Sequence, residues 1–388
     1  MAKQKNIKKY SIILLLAISF IIGVVGGFGA FSYINLPQNE DVSVEVEVYT
    51  SSASPVNTSG SNIDISDSEV SIHFLELGNK YTGDCTYIKV GENIDILIDC
   101  GSKVNSIPTV TNYINNYVKD NTLEYVIITH AHQDHYAGFA TNKNVDSIFD
   151  LYACQNIITF AKTNQKSTST MYGNYLRELN DEIANGANHF TALDCINHTN
   201  GATNIYNLDT GVSLTILNSY FYSNSSSTEN NYSVCCMLTH NGKNFLFTGD
   251  LEEDGEEHLV ELNTLGQVEL YKAGHHGSKT SSSMALLNVI QPKNVCVCCC
   301  AGSPEYTKTT ANQFPTQIFI DNISNFTQNV YVTTLCLDYQ NNSFTSFNGN
   351  IVCFSTGINF EINCSNNNTK LKDTEWFKKN RKCPVNWK

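Results

Sequence analysis

Residues 129–138 read THAHQDHYAG, and they crowd His130, His132, Asp134 and His135 into six positions. The whole 388-residue chain has only ten histidines. His130 and His132 are two apart, so an extended backbone turns both to one side. Asp134 and His135 come after a turn and approach from elsewhere. Imidazole nitrogen and carboxylate oxygen are ligands suited to zinc, iron or manganese.

Four apolar runs each end in residues of this kind. IDILID ends at Asp99, YVIIT runs into His130, NFLFTGD ends at Asp250, and VELYKAGHH ends at His275 and His276. If these runs are strands side by side in sheets, their polar ends converge on one rim, on rigid supports. So many ligands exceed the needs of one catalytic ion with an open position. They suit two ions about 3.5–4 Å apart that share a bridging carboxylate, with a hydroxide between them.

The HxHxDH pattern His130-Ala131-His132-Gln133-Asp134-His135 resembles the signature of the metallo-β-lactamase superfamily. HFLELGNKYTGDCTYIKV, ILIDCGS, NNYSVCCMLTHNGKNFLFTGDLE and YKAGHHGSKTSSS extend the likeness from about Ile72 to about Asn363. They are similar to the external hydrolase domain of bacterial DNA-uptake (competence) proteins and to the exported phosphorylcholine esterase group. The resemblance implies a four-layer αββα sandwich. It implies that His130 and His132 hold the first metal, Asp134 and His135 the second, and that Asp250 bridges both. His276, followed by the small Gly277, completes the second site, although His275 stays open as the alternative. Asp99 then orients a ligand from behind, and Asp84, in the GD turn, stands in the same supporting layer.

The chain departs from the family in three places. STENNYSV, with Glu229, Asn230 and Asn231, stands where the superfamily usually has another histidine. No histidine follows His276, and GSPEYTKTT offers Tyr306 instead of a late Tyr-Gly-His-Pro. ELGNKYTGD is longer than the usual loop before the GD turn. The last two bear on the substrate more than on the metal chemistry.

Asp134, His275 and Tyr306 are therefore the candidate catalytic groups, with His275 or Tyr306 assisting the leaving group. Ser278, Lys279, Asn230 and Asn231 are the candidate substrate contacts. GSKTSSS reads two ways, as a phosphate cradle at a helix N-terminus or as a serine cap for the helix that follows.

Composition bounds the rest. The chain is 41% hydrophobic, enough for a large core, and its net charge of −13 argues against a general polyanion-binding surface, while leaving open a nucleic-acid substrate held locally by metal ions. Lys3, Lys5, Lys8 and Lys9 precede the charge-free residues 11–34. As a helix these span roughly 36 Å, enough for a bilayer core of about 30 Å. We read residues 1–10 as a cytoplasmic tail, 11–34 as a signal anchor, and 35–69 as an extracytoplasmic linker. If residues 11–34 are instead cleaved, the product is secreted. Residues 70–363 then form the hydrolase domain and 364–388 a polar tail with no binding module of its own.

The fourteen cysteines could pair in an exported protein. VCVCCCAG, with Cys296, Cys298, Cys299 and Cys300, reads as a buried strand, while Cys364 and Cys383 are the better disulfide candidates. His73 reads as packing, His189 and His198 as loop residues, and His240 and His258 as solvated. Glu252 to Glu257 reads as an exposed helical face.

The expected activity is extracytoplasmic hydrolysis of a phosphoester or phosphodiester by two divalent ions, zinc first, with manganese or iron as alternatives. The expected partners are a phosphorylcholine-type, nucleotide or nucleic-acid substrate and the membrane, with no stable protein partner. An amide or thioester hydrolase with the same ligands is the alternative enzyme. A surface binding protein that keeps a metal for structure is the alternative outside enzymes.

Overall fold

The computed structural model describes residues 69–141 and 145–388. The readings of residues 1–10 and 11–34, and nearly all of the 35–69 linker, lie outside the described residues. Among the described residues no helix is long and apolar enough to cross a membrane.

Sixteen strands form two sheets among the described residues. In chain order they are β1 Val70–Phe74, β2 Thr86–Val90, β3 Ile94–Ile98, β4 Thr122–Ile128, β5 Ala153–Thr159 and β6 Asn188–Thr191. There follow β7 Ile205–Asp209, β8 Val212–Ile216, β9 Cys236–His240, β10 Lys243–Phe247, β11 Leu270–Lys272 and β12 Asn294–Ala301. The last four are β13 Val330–Asp338, β14 Ser343–Ser346, β15 Ile351–Ser355 and β16 Phe360–Cys364. One sheet has the order β16-β15-β1-β2-β3-β4-β5-β6, and the other β14-β13-β12-β11-β10-β9-β8-β7. Both are mixed: β3 pairs parallel with β4, and β10 parallel with β11, while the flanking β2–β3 and β9–β10 pairs are antiparallel.

Side-chain alternation builds the layers. Along β10, Phe245 and Phe247 face the first sheet while Leu246 belongs to the core on the other side. Along β12, Cys296 and Cys298 go inward, and Val295, Val297 and Cys299 go outward. That is the period-two pattern of a strand covered on both faces. Phe74 meets Phe247 across the sheets, ring centroids 6.3 Å apart, and burying each such ring contributes roughly 1.5–3 kcal/mol. Helices Ile107–Ile114 and Thr170–Ala184 cover the first sheet with Val110, Ile114, Tyr175 and Leu179. Helices Glu253–Leu262, Met284–Ile290 and Gln317–Ile323 cover the second with Leu259, Leu286, Leu287 and Phe319. The layers run helix, sheet, sheet, helix, the αββα order that the sequence resemblance implies.

The cysteine run is the buried strand β12, where thiols serve as small apolar residues. Cys364 and Cys383 are both free. They cannot meet, because Cys364 packs on the core between the sheets and Cys383 on the outer core. Residues 364–388 depart from the polar tail we read: Leu371, Phe377 and Trp387 are buried in the outer core. Three apolar side chains spaced among charges gave no period to signal this.

Two further residues read as solvated or exposed are buried. His240 ends β9 and shares a hydrogen bond with Ser355 of β15, 3.0 Å, across the two sheets. Glu256 turns inward from its helix, and its carboxylate accepts from the Ser282 and Ser283 amides, both at 2.7 Å. Burial pushes its carboxyl up to about 7 against the pull of those hydrogen bonds.

Candidate metal centre

The C-terminal ends of β3, β4, β10 and β11 deliver Asp99, His130, Asp250 and the His275-His276 pair to one rim. Docking of the histidine loop against the end of β3 holds the arrangement. The Cys100 amide donates to the His135 carbonyl, 2.7 Å, and the Asp84 amide to the Asp134 carbonyl, 3.0 Å. Glycine at 101 is required there, since a Cβ would lie 1.6 Å from the Asp134 carbonyl oxygen.

Asp250 Oδ2 is the hub. His135 Nε2 lies 3.2 Å from it, His276 Nε2 3.4 Å, and His130 Nε2 and His275 Nε2 3.9 Å each. His130 Nε2 is 3.0 Å from His132 Nδ1. Asp134 Oδ2 is 3.5 Å from His276 Nε2 and accepts from the Tyr306 hydroxyl at 2.7 Å.

A supporting layer holds these groups from behind. Asp99 accepts from the Thr129 amide and hydroxyl and contacts His135 Nδ1 at 2.7 Å. His276 Nδ1 faces the Cys298 carbonyl at 3.0 Å and Asp84 Oδ1 at 3.2 Å. Asp84 Oδ2 forms a buried ion pair with Lys272, whose ammonium also donates to the Gly249 carbonyl. Ser233 Oγ accepts from the Asp250 amide, 3.0 Å, and lies 3.4 Å from His130 Nδ1. With each Nδ1 engaged, Nε2 of His135 and of His276 is left as the free donor.

Whether these residues fit a metal is decided by their orphaned atoms. His135 Nε2, His276 Nε2 and Asp250 Oδ1 are buried without a hydrogen-bond partner. Such atoms cost roughly 1–3 kcal/mol each unless something binds them. Among the described residues, one group of three or more such donors, Asp84, His135, Asp250 and His276, brings its ligand atoms within 4.8 Å of one another. Asp84 is ion-paired with Lys272 through Oδ2 and faces Nδ1 of His276, the nitrogen turned away from Asp250, so it supports a ligand. The donor set fits divalent metal ions.

Electrostatics agree. Burial raises the Asp250 carboxyl, but His135, His276 and His275 outweigh it and hold the pKa well below the usual range. Burial lowers His135 and His276, but Asp250, with Asp99 or Asp84, drives both well above 6.5. His130, crowded by burial and by His135, is pushed well below. A carboxylate surrounded by imidazoles that compete for protons is a site that a dication can take over.

His275 and His276 both have left-handed backbones, φ 46° and 55°. Such a conformation costs roughly 1–3 kcal/mol per residue away from glycine. The strain turns two adjacent imidazoles toward the same carboxylate.

A cavity of about 420 Å³ opens on this rim, lined by Lys103, His132, Gln133, Asp134, Asp250, His275, Glu305 and Tyr306. The Tyr306 ring is exposed, yet burial of its hydroxyl and the neighbouring Asp134 raise its pKa, so it stays a donor. Lys103 is a wall residue that sequence reasoning missed, as it missed Lys272. Both stand within a few residues of the strand ends that signalled Asp99 and His275.

The candidate substrate contacts divide. Asn230 reaches the site: its amide nitrogen donates to Glu252 at 2.8 Å and lies 3.5 Å from His275 Nδ1. Asn231 is committed to the backbone amide of Glu252 and to Asp254. Ser278 bonds Thr280, and Lys279 is exposed in a separate depression beside Glu252, Glu253, Asp254 and Glu257. The structure brings neither to the cavity. Ser283 caps the Met284–Ile290 helix, and Glu256 already occupies the Ser282 and Ser283 amides. The serine run is a cap, and a carboxylate stands where a phosphate would sit. His189 lies on edge strand β6, where the loop reading put no strand, and contacts Thr159 at 2.9 Å.

The family model described as "Metallo-beta-lactamase superfamily" matches residues 78–212 and 227–301, just over half of the chain. Recombination protein 2 of Haemophilus influenzae is 44% identical over 59 residues, 15% of this chain and 7% of that protein. ComE operon protein 3 of Bacillus subtilis is 32% identical over 69 residues, 18% of this chain and 9% of that protein. The matched segments thus span less than a tenth of these curated relatives. Among solved structures, CmlA, a diiron beta-hydroxylase from Streptomyces venezuelae, aligns over 66% of this chain and 47% of its own, with 11% identity and TM-score 0.31. A metallo-beta-lactamase of Cronobacter sakazakii aligns over 50% of this chain and 74% of its own, with 14% identity and TM-score 0.30.

Proposed function

The chain belongs to the metallo-beta-lactamase superfamily, and from that premise we propose a membrane-anchored, extracytoplasmic hydrolase of phosphoesters or phosphodiesters that uses two divalent ions, zinc first. The observation that carries the substrate class is the cavity wall. Lys103, Tyr306 and His275 present an ammonium, a phenol and an imidazole around the buried carboxylate and imidazoles. That set of donors suits a tetrahedral anion. Glu305 is the one wall carboxylate beyond Asp134 and Asp250, so the cavity favours a singly charged diester over a dianion.

His130, His132 and Asp250 would hold one ion, and Asp134, His135, His276 and Asp250 the other. Divalent ions supply Lewis-acid stabilisation of developing negative charge and a nucleophilic water at neutral pH. Lys103 pairs with a non-bridging phosphate oxygen. The Tyr306 hydroxyl stands at the cavity wall, and its one proton, donated to Asp134 in this structure, would turn to the leaving oxygen once Asp134 holds an ion. Asp99, Asp84 and Lys272 keep the imidazoles oriented.

Turnover of bis-p-nitrophenyl phosphate, p-nitrophenyl phosphorylcholine, single-stranded DNA and a lactam, each with zinc or manganese, tests this reading. We expect hydrolysis of at least one phosphoester and a loss in Lys103→Ala greater than in Lys279→Ala. Cleavage of the lactam alone replaces phosphoester with amide chemistry. Anchoring by residues 11–34 predicts that protease added to intact cells cuts in residues 35–69 and releases the domain. Protection until lysis overturns that orientation.

A further inference from the structure

Arg381 lies in the stretch read above as a polar tail, yet only 7% of its surface is exposed. Its Nε donates to the Pro315 carbonyl at 3.0 Å, one terminal nitrogen to the Gln313 carbonyl at 2.6 Å, and the other to the Asn380 carbonyl at 2.8 Å. The guanidinium carbon sits 4.6 Å from the centre of the Trp376 ring. Among the described residues its charge is met by carbonyls and that ring, and by no carboxylate. Burying a cation without a counter-ion costs stability, so the reason for it has to lie in the turn that it holds.

That turn borders the cavity. Arg381 takes the carbonyls on either side of Phe314, and the Phe314 carbonyl accepts from the Gly302 amide at 2.8 Å. Three consecutive carbonyls are thus fixed. Thr316 follows, and its amide donates at 2.9 Å to the carbonyl of Gly277, the residue after His276. Between these anchors the Phe314 ring centroid lies 5.5 Å from that of Tyr306, 5.7 Å from His275 and 5.8 Å from His276. Tyr306 and His275 line the cavity. Tyr306 is 55% exposed, so the packing of Phe314 against its ring limits where the hydroxyl points.

We propose that Arg381 is a positioning residue of the cavity: it fixes the 313–315 turn, and Phe314 in that turn sets the Tyr306 ring. The C-terminal segment thereby belongs to the working rim, although it lies outside the residues that the family model matches. Arginine suits the task because its planar fork grips two carbonyls at a set angle, which an ammonium on a flexible stem does not. The consequence for turnover rests on the phosphoester reading above, with Tyr306 as proton donor. The dependence of the turn on Arg381 does not.

Two measurements on the full-length chain decide it. The first is amide hydrogen exchange in the parent, Arg381→Lys and Arg381→Met. In both variants the Gly302 and Thr316 amides should exchange at least about tenfold faster, while the amides of β10 keep parental protection. Unchanged exchange at Gly302 overturns the proposal. So does an equal loss of protection in β10, which would make Arg381 a general stabiliser. The second is turnover of bis-p-nitrophenyl phosphate, whose nitrophenoxide leaves with little help, against diphenyl phosphate, whose phenoxide needs a proton. Arg381→Lys and Phe314→Leu should each lower kcat at least about tenfold on diphenyl phosphate and less than about threefold on the nitrophenyl ester. In a Tyr306→Phe background, adding Arg381→Lys should change diphenyl phosphate turnover by less than about twofold. Equal losses on both esters, or full additivity with Tyr306→Phe, overturn the role. A parent that cleaves neither ester sinks the phosphoester reading, and exchange at Gly302 then decides by itself whether Arg381 sets the turn.

Discussion

His73 and His276 are both buried imidazoles, and the protein treats them in opposite ways. His73 lies in β1 among Tyr87, Tyr113 and Tyr117. Both of its nitrogens are engaged, Nδ1 with Tyr113 and Nε2 with Ser71, each at 2.8 Å. No carboxylate answers it, and burial pushes its pKa down to about 3. His276 has Nδ1 engaged and Nε2 orphaned among three acidic residues. The difference shows what marks a ligand in this fold. Burial is common to both, and so is a bound Nδ1; the second nitrogen, left open toward converging donors, separates them. His240 sharpens the rule: its Nε2 is also unpartnered, but it is absent from the one convergent group among the described residues.

The strongest test acts behind the rim. Lys272→Met leaves Asp84 buried without its cation, and breaking such a pair costs about 3–5 kcal/mol. Thermal unfolding should show that loss, together with weaker metal binding. A neutral outcome in both breaks the claim that the rim depends on a charged support that the His73 pocket lacks.

Asp250→Asn acts at the hub. It keeps the size but removes the charge and one anionic donor. We expect loss of at least one ion by elemental analysis and a fall in phosphodiester turnover of roughly 10², about 2.7 kcal/mol. Near-normal turnover in this variant dissolves the contrast between the two histidine environments. His132→Ala with Asp134→Ala should likewise strip most of the metal, and full retention would place the centre elsewhere.

The His73 pocket makes a prediction in pH. His73 titrates near 6.5 unfolded and at about 3 folded. Between these values the unfolded chain binds the extra proton. Its share of stability is therefore complete above pH 6.5 and falls as pH drops toward 3, by about 1.4 kcal/mol per unit. His73→Phe should flatten that part of a denaturant-derived pH profile and leave metal content unchanged. A profile of unaltered slope would mean that the imidazole is not held neutral. The smallest effect belongs to His189→Ala, on an edge strand away from the hub, where turnover should change by less than about threefold. A loss as large as that of Asp250→Asn would redraw the site.

The amino-acid sequence by itself determined the ligand types and the strand ends that carry them. Asp99, His130, Asp250 and His275 each close an apolar run, and a strand's direction and period decide where such residues emerge. The αββα order was legible only through the family resemblance that the order of the motifs carries. Tertiary structure decided which way the remaining side chains turn. Lys279 and Lys103 both follow a strand end that feeds the rim, yet one faces acidic surface residues and the other the cavity, because the fold docks their loops differently. Glu256 reads as one more surface charge until the amides of Ser282 and Ser283 meet it from another element. Trp387 and Leu371 look like parts of a polar tail until a second core closes over them. His275 and His276 are neighbours in any reading of the chain. Only a left-handed backbone, held by contacts from residues far away in sequence, aims both at Asp250.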